Sequence, residues 1–201
     1  MRGLLVDFGG VLTTDVFASF RKFCEREGID PDTVKRLFRD DPDALALLRR
    51  LERGEIEEDE FSERFGAMMG VADTDGLIDR LFAGMRPDEA MHEAVRRARA
   101  GGVRTALVSN SWSTGHYDRP SLDELFDAIV ISGEVGLNKP DAEIFELAAD
   151  RVGVPAGECV LVDDLRENCE GAERVGMTAV RHRDAPRTVA ELEGLLGVEL
   201  R

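Results

Sequence analysis

The hydrophobic pattern divides the chain into a helical block and a block in which helices and strands alternate. Between residues 15 and 85, apolar residues recur at spacings of three and four, which is typical of amphipathic helices that pack against one another. Glycines and prolines separate the stripes and mark helix ends. We therefore predict a bundle of four or five short helices here, with no strand. The stripes are Phe17, Phe20, Phe23 and Cys24; Val34, Leu37 and Phe38; Leu45, Leu48 and Leu51; Phe61, Phe65 and Met68; and Leu77, Ile78, Leu81 and Met85.

After Pro87 the pattern changes to alternating strands and helices, which is typical of a parallel sheet covered by helices. The short apolar run Leu4 to Val6 adds a first strand before the helical block. We predict an α/β fold, a doubly wound parallel sheet with a small all-helical cap inserted after strand 1. The core comprises residues 1–14 and 86–201, and the cap comprises residues 15–85. The remaining predicted strands are 103–108, 128–131, 159–162 and 178–180, and the predicted helices are 88–100, 141–151 and 166–175.

Side chains that can perform chemistry follow three of these strands. Asp7 follows the first strand, Ser109 follows the strand at 103–108, and Asp163 and Asp164 follow the strand at 159–162. Lys139 lies in a loop between the strands at 128–131 and 159–162. Because the carboxyl ends of parallel strands meet at one edge of a sheet, we expect these side chains to converge there.

Each of these residues also has an ordinary structural explanation. An Asp before glycines is common in turns, a Ser after a strand is common in turns and caps, and a lone Lys is normally solvated. Asp163 is in a position to cap the helix that follows it. What favours a functional interpretation is that Asp7, Ser109, Lys139 and the Asp163-Asp164 pair occur together, in this order along the chain and near the ends of strands.

In this order, the residues resemble the four motifs of the haloacid dehalogenase superfamily, whose members have a Rossmann-like core and are mostly phosphatases. The likeness is to the subgroup with a helical cap after the first strand, and especially to the amino-terminal phosphatase domains of soluble epoxide hydrolases. It covers essentially the whole chain. The matching motifs are Ser109-Asn110-Ser111-Trp112, Val135 to Pro140, and Asp163-Asp164 with Asn168.

The resemblance implies a phosphoryl-transfer role for several side chains. Asp7 is expected to be the nucleophile that forms an aspartyl-phosphate, and Lys139 the catalytic cation that neutralises both the nucleophile and the phosphate. Ser109, Asn110 and Lys139 are expected to bind the phosphorylated substrate. Ser111, Trp112 and His116 follow Ser109; they either line the pocket or, for Trp112 and His116, serve as a packed anchor and a surface side chain.

The resemblance also implies a magnesium site. Its expected ligands are a carboxylate oxygen of Asp7, the backbone carbonyl of Gly9 and the carboxylate of Asp164, with Asp163 in support. Hard oxygen ligands suit Mg²⁺.

Gly9 departs from the pattern of these phosphatases, which carry a second Asp two positions after the nucleophile as the general acid and base. General acid–base catalysis typically contributes 10²–10⁴ in rate. The nearest substitutes in sequence are Thr13, Thr14 and Asp15. Three functions stay open: a Mg²⁺-dependent phosphatase of a small metabolite, an Asp-nucleophile dehalogenase whose halide leaves without a proton, and a catalytically weak member used for binding or regulation.

Net charge and cysteine content indicate which partners and which cellular compartment to expect. A formal net charge of −15 disfavours binding to nucleic acid phosphates. Three cysteines without metal-ligand spacing are typical of a reduced, cytoplasmic protein. No segment approaches the ~20 apolar residues that span a bilayer, and no signal peptide is expected. We expect a cytoplasmic enzyme whose partner is a small phosphate-bearing molecule rather than nucleic acid or membrane.

Overall fold

A computed structural model describes residues 1–113, 115 and 117–201, so His116 lies outside the described residues. Within them, no helix is both long and apolar enough to cross a membrane. The strands are β1 (Gly3–Val6), β2 (Arg104–Ser109), β3 (Ala128–Ile131), β4 (Cys159–Asp163) and β5 (Thr178–Arg181). The helices are α1 (Val16–Glu27), α2 (Thr33–Asp40), α3 (Pro42–Glu52), α4 (Glu58–Met69), α5 (Leu77–Phe82), α6 (Glu89–Ala100), α7 (Arg119–Leu125), α8 (Ser132–Val135), α9 (Ala142–Val152), α10 (Arg166–Arg174) and α11 (Ala185–Leu196).

The five strands form one parallel sheet in the order β3-β2-β1-β4-β5, with β1 at its centre. The doubly wound α/β fold is therefore confirmed. The predicted strands agree with the observed ones to within one residue, because continuous apolar runs of four or five residues mark strands that are buried on both faces.

Helices α7, α8 and α11 had not been predicted. For α11 the signals were present in the sequence: Asp184 caps its first turn by accepting from the Arg187 amide at 3.1 Å, and Gly197 ends it in a left-handed conformation. The helix buries Val189, Leu192 and Leu196 against the sheet. The short helices α7 and α8 have four to seven residues, too few for periodicity to reveal them.

Among the described residues, the buried hydrophobic side chains gather in three clusters. Two lie on opposite faces of the sheet, one beneath α6 and α11 and the other beneath α9 and α10. The third is built by α1 to α5 between Phe20 and Leu81, and Trp112 from the loop after β2 packs against it. The helical insertion thus has an apolar interior of its own.

The two segments that join the insertion to the sheet run side by side. Thr13 and Pro87 form an isolated antiparallel bridge, and the Thr14 amide donates to the Arg86 carbonyl at 2.8 Å. Both ends of the insertion therefore leave the sheet at one place, next to the carboxyl end of β1.

Candidate active site

The register of the sheet places two carboxylates next to each other. Val6 at the end of β1 is level with Val162 in β4, so Asp7 and Asp163 stand side by side one residue further on. The Asp7 amide donates to the Val162 carbonyl at 3.0 Å, which continues the ladder to this point. Asp7 is buried, with 7% of its surface exposed, and Asp163 is fully buried.

Lys139 joins these two carboxylates. Its Nζ lies 2.8 Å from Asp7 Oδ1 and 2.6 Å from Asp163 Oδ2, and the residue is 4% exposed. Asp163 also accepts hydrogen bonds from Asn168 Nδ2, at 3.0 and 3.1 Å, and from the Leu165 amide at 2.9 Å. Asp163 therefore both fixes the turn before α10 and holds the ammonium group against Asp7.

Burial is the main cause of the raised pKa values of Asp7 and Asp164. Burial raises the pKa of Asp7 to about 7 against the opposing effect of Lys139, and Asp163 and Asp164 raise it further. Burial likewise raises the pKa of Asp164 to about 6, with Asp163 adding to the effect. Burial alone would lower the pKa of Lys139, but Asp163 and Asp7 raise it above its ordinary value, so the ammonium keeps its charge.

The carboxylates of Asp7, Asp163 and Asp164 suit a divalent cation. Each offers an oxygen within 4.8 Å of the others. Among the described residues, the Lys139 ammonium is the one cation paired with them, so carboxyl groups outnumber cations here by three to one. Such oxygen donors are those that Mg²⁺ prefers. Gly10 makes room for Asp164: its φ is +76°, and a Cβ on it would lie 2.6 Å from Asp164 Oδ2.

The predicted substrate-binding residues lie at the same edge. Ser109 Oγ is 2.9 Å from Tyr117 Oη. The Asn110 side chain makes two hydrogen bonds with the backbone of Lys139. Its Oδ1 accepts from the Lys139 amide at 2.9 Å, and its Nδ2 donates to the Lys139 carbonyl at 3.0 Å. In this geometry Asn110 positions Lys139, and its contact with substrate stays a prediction.

The three residues considered as substitutes for the missing acid are engaged in local structure. Thr13 Oγ1 accepts from the Gly10 amide at 3.1 Å and donates to the Thr14 carbonyl at 3.1 Å. Thr14 Oγ1 accepts from the Arg86 amide at 3.1 Å. The exposed Asp15 caps α1 through the Phe17 amide at 2.8 Å.

Three further residues lie at the site, and none of them had been given a role from the sequence: Glu52, Tyr117 and Asn138. Glu52 ends α3, is 8% exposed, and accepts a hydrogen bond from Asn138 Nδ2 at 2.8 Å. A signal for Glu52 exists in the sequence, since it lies four residues after Leu48 on the apolar stripe of α3, where a carboxylate is also disfavoured by the helix dipole. Tyr117 has no such signal; burial raises its pKa to about 12.

A cavity of about 1010 Å³ connects the sheet edge with the helical insertion. Asp7, Lys139 and Ser109 line it, together with a group of aromatic side chains: Phe17, Phe20, Phe38, Phe82 and Trp112. Both roles considered for Trp112 apply. It lines the cavity, and it packs against phenylalanine rings at 5.2 to 6.3 Å between centroids. Those rings are Phe20, Phe38, Phe61, Phe65 and Phe82.

This architecture defines a class of α/β enzymes in which a helical insertion covers the carboxyl edge of a parallel sheet. The chain belongs to the haloacid dehalogenase-like hydrolase family, whose model matches residues 1–176. Among solved structures, a haloacid dehalogenase family enzyme of Bacteroides thetaiotaomicron, in complex with magnesium and inorganic phosphate, superposes with a TM-score of 0.65 at 20% identity. The match covers 91% of this chain and 94% of that one.

Related proteins include phosphatases. A sesquiterpene phosphatase of Aspergillus oryzae is 29% identical over 74% of this chain and 78% of its own length. Acyl-CoA dehydrogenase family member 10 of Mus musculus is 29% identical over 99% of this chain, and bifunctional epoxide hydrolase 2 of Sus scrofa is 27% identical over 62%. This chain spans only 19% and 24% of the last two proteins. The resemblance found in the sequence is thus confirmed, and the chain is a hydrolase of this family.

Proposed function

We propose that the protein is a Mg²⁺-dependent phosphatase that removes the phosphoryl group of a small metabolite through an aspartyl-phosphate on Asp7. One observation carries the proposal: a buried carboxylate, Asp7, is paired with the Lys139 ammonium at 2.8 Å and lies beside two further carboxylates at one end of a large cavity. Phosphoryl transfer needs an in-line nucleophile and positive charge around the phosphoryl oxygens.

Each residue at the edge has a part in this reaction. The free oxygen of Asp7 attacks phosphorus while Lys139 keeps Asp7 ionised and offsets the charge of the phosphate. Ser109 donates its hydroxyl proton to a phosphoryl oxygen, and Asp163 positions Lys139. Asp7 and Asp164, with the Gly9 carbonyl, hold Mg²⁺, which when bound neutralises charge that develops on the phosphoryl oxygens.

The helical insertion acts as a cap over the core, and the protein works in the cytoplasm. We assign residues 15–85 to a cap and residues 1–14 and 86–201 to the core, supported by the separate apolar cluster of α1 to α5 and by the paired segments at Thr13 and Pro87. Three buried cysteines without a disulfide suit the reducing cytoplasm. The excess negative charge around Asp7 favours this reaction over halide displacement from carbon, which needs no cation.

The test is a phosphatase assay over a panel of small phosphorylated metabolites and p-nitrophenyl phosphate, with Mg²⁺ and with EDTA. We expect turnover with Mg²⁺ that EDTA abolishes, and no turnover in Asp7→Asn. Asp59→Asn is a suitable control, because it makes the same change at an exposed carboxylate of α4 that lies outside the cavity lining. Activity that survives in Asp7→Asn, or a wild-type protein inactive on every phosphate, would refute the proposal.

A further inference from the structure

Glu52 is a buried carboxyl group that reaches the candidate active site from the helical insertion. It ends α3, and its side chain contacts the residue that precedes Lys139 and the residue that follows Ser109. Asn138 Nδ2 donates to Oε2 at 2.8 Å, and Asn110 Nδ2 lies 3.4 Å from the same oxygen. Glu52 therefore meets the two loops that carry the proposed phosphate-binding groups, and it lines the same cavity as Asp7.

The backbone around Glu52 fixes this carboxyl group. Ser132 Oγ donates to the Glu52 carbonyl at 2.5 Å, and Arg53 pairs with Asp141 at 2.9 Å. Gly54, with a φ of +67°, packs so closely on the core that a Cβ would lie 2.9 Å from the Gly133 carbonyl oxygen. The end of α3 is thus in direct contact with the segment around Ser132 and Asp141.

The two oxygens of Glu52 are not equivalent. Oε2 is the oxygen that both amides approach, whereas Oε1 has no hydrogen-bond partner among residues 1–113, 115 and 117–201. A carboxylic acid places its proton on the oxygen that is not accepting hydrogen bonds, so the proton belongs on Oε1. Burial raises the pKa of Glu52 to about 8, against the lowering effects of Lys139, Asn138 and Arg49, which agrees with a carboxyl group that is protonated at neutral pH.

We propose that Glu52 is the general acid and base of this enzyme and supplies, from the insertion, the proton transfer that Gly9 cannot. This inference rests on the phosphatase activity proposed above. In the first half-reaction an Asp7 oxygen bonds to phosphorus, the bond from phosphorus to the leaving oxygen breaks, and the Glu52 proton moves to that oxygen. In the second, a water oxygen bonds to phosphorus, the bond to Asp7 breaks, and the water proton moves to Glu52, which restores the enzyme.

The experiment compares leaving groups in Glu52→Gln, a variant that keeps the shape of the side chain and an oxygen for Asn138. With an alkyl phosphate, whose leaving oxygen needs a proton, we expect kcat/KM to fall by about 10²–10⁴. With p-nitrophenyl phosphate, whose leaving group departs unprotonated, kcat/KM should change little, because this parameter reports the first half-reaction. Its kcat should fall and a product burst should appear, since the second half-reaction has lost its base.

Two further measurements separate catalysis from structure. Glu55→Gln makes the same change three residues away, at a half-exposed side chain outside the cavity lining, and it should leave the ratio of alkyl to aryl rates unchanged. Gly9→Asp in the Glu52→Gln background should restore part of the alkyl phosphate rate; a Cβ at Gly9 meets only Val16 Cγ2, at 3.1 Å, so the variant needs a small shift of that side chain.

Three results would overturn the role of Glu52 while leaving the proposed function standing. The first is an equal loss of kcat/KM on both substrates in Glu52→Gln, and the second is no loss on either. The third needs no variant: a wild-type rate that falls steeply from aryl to alkyl phosphates would show that no acid acts. In contrast, a wild-type protein without phosphatase activity, or an active Asp7→Asn, would refute the proposed function itself.

Discussion

Replacing the buried carboxyl of Glu52 by an amide should make the protein more stable at alkaline pH. In the folded protein the pKa of Glu52 rises from its ordinary 4.5 to about 8, chiefly because the side chain is buried. The folded state therefore holds a proton that the unfolded chain releases. Stability of the wild type falls as the pH rises from about 4.5 to about 8, and the loss is complete above that window. Glu52→Gln has no such loss.

The size of the effect follows from the two pKa values. A difference from 4.5 to about 8, at about 1.4 kcal/mol for each pKa unit, gives an upper limit of about 5 kcal/mol. For a chain of 201 residues, this corresponds to about 10–20 °C in Tm at most. We expect Glu52→Gln to gain most of this difference over the wild type at pH 9 and little of it at pH 5.

Thermal unfolding followed by circular dichroism between pH 5 and 9, without Mg²⁺, measures this difference. Glu55→Gln is the matched control: it makes the same change from a carboxyl group to an amide three residues away, where the side chain is half exposed, so its effect should hardly vary with pH. A difference between Glu52→Gln and the wild type that is the same at pH 5 and pH 9 would show that Glu52 is not a buried, uncharged acid in the folded protein.

Three other perturbations test neighbouring parts of the site. Lys139→Ala should abolish turnover and lower the free energy of unfolding at neutral pH by about 3–5 kcal/mol in urea titrations, because it leaves two buried carboxylates unpaired; stability equal to the wild type would contradict the ion-pair assignment. Asp164→Asn should weaken Mg²⁺ binding in calorimetry, since it removes a carboxylate from the cluster; unchanged binding would exclude this ligand. Trp112, the sole tryptophan, lines the cavity, so its fluorescence should change when an aryl phosphate binds to Asp7→Asn, and an unchanged spectrum at saturation would place the substrate elsewhere.

The sequence was sufficient for the sheet and for the residues at its carboxyl edge. Asp7, Ser109 and Asp163 each terminate an apolar run, and in a parallel sheet the ends of such runs must lie together. Lys139 could be included because its loop follows β3, whose carboxyl end lies at the same edge of the parallel sheet. Local patterns combined with one topological rule thus predict this part of the site.

Glu52 and Tyr117 belong to the part that the sequence did not predict. Glu52 lies 86 residues from Asn138, its closest hydrogen-bond partner in the site, and only the packing of the insertion on the core brings the two together. Tyr117 approaches Ser109 through a loop that has no periodicity. Conversely, Thr13, Thr14 and Asp15 were considered because they are near Gly9 in sequence, but their hydrogen bonds serve the linkers and the cap of α1. Proximity along the chain is a poor guide where two units meet.

Chemical trapping of the covalent intermediate tests the central claim most directly. Glu52→Gln, incubated with p-nitrophenyl phosphate and Mg²⁺, is quenched with borohydride, which reduces an aspartyl-phosphate to homoserine, and the peptides are analysed by mass spectrometry. We predict homoserine at position 7 in a substrate-dependent amount, absent when EDTA replaces Mg²⁺ or when Asp7 is Asn. Turnover without reduction at Asp7, or reduction at another carboxylate such as Asp164, would contradict the account.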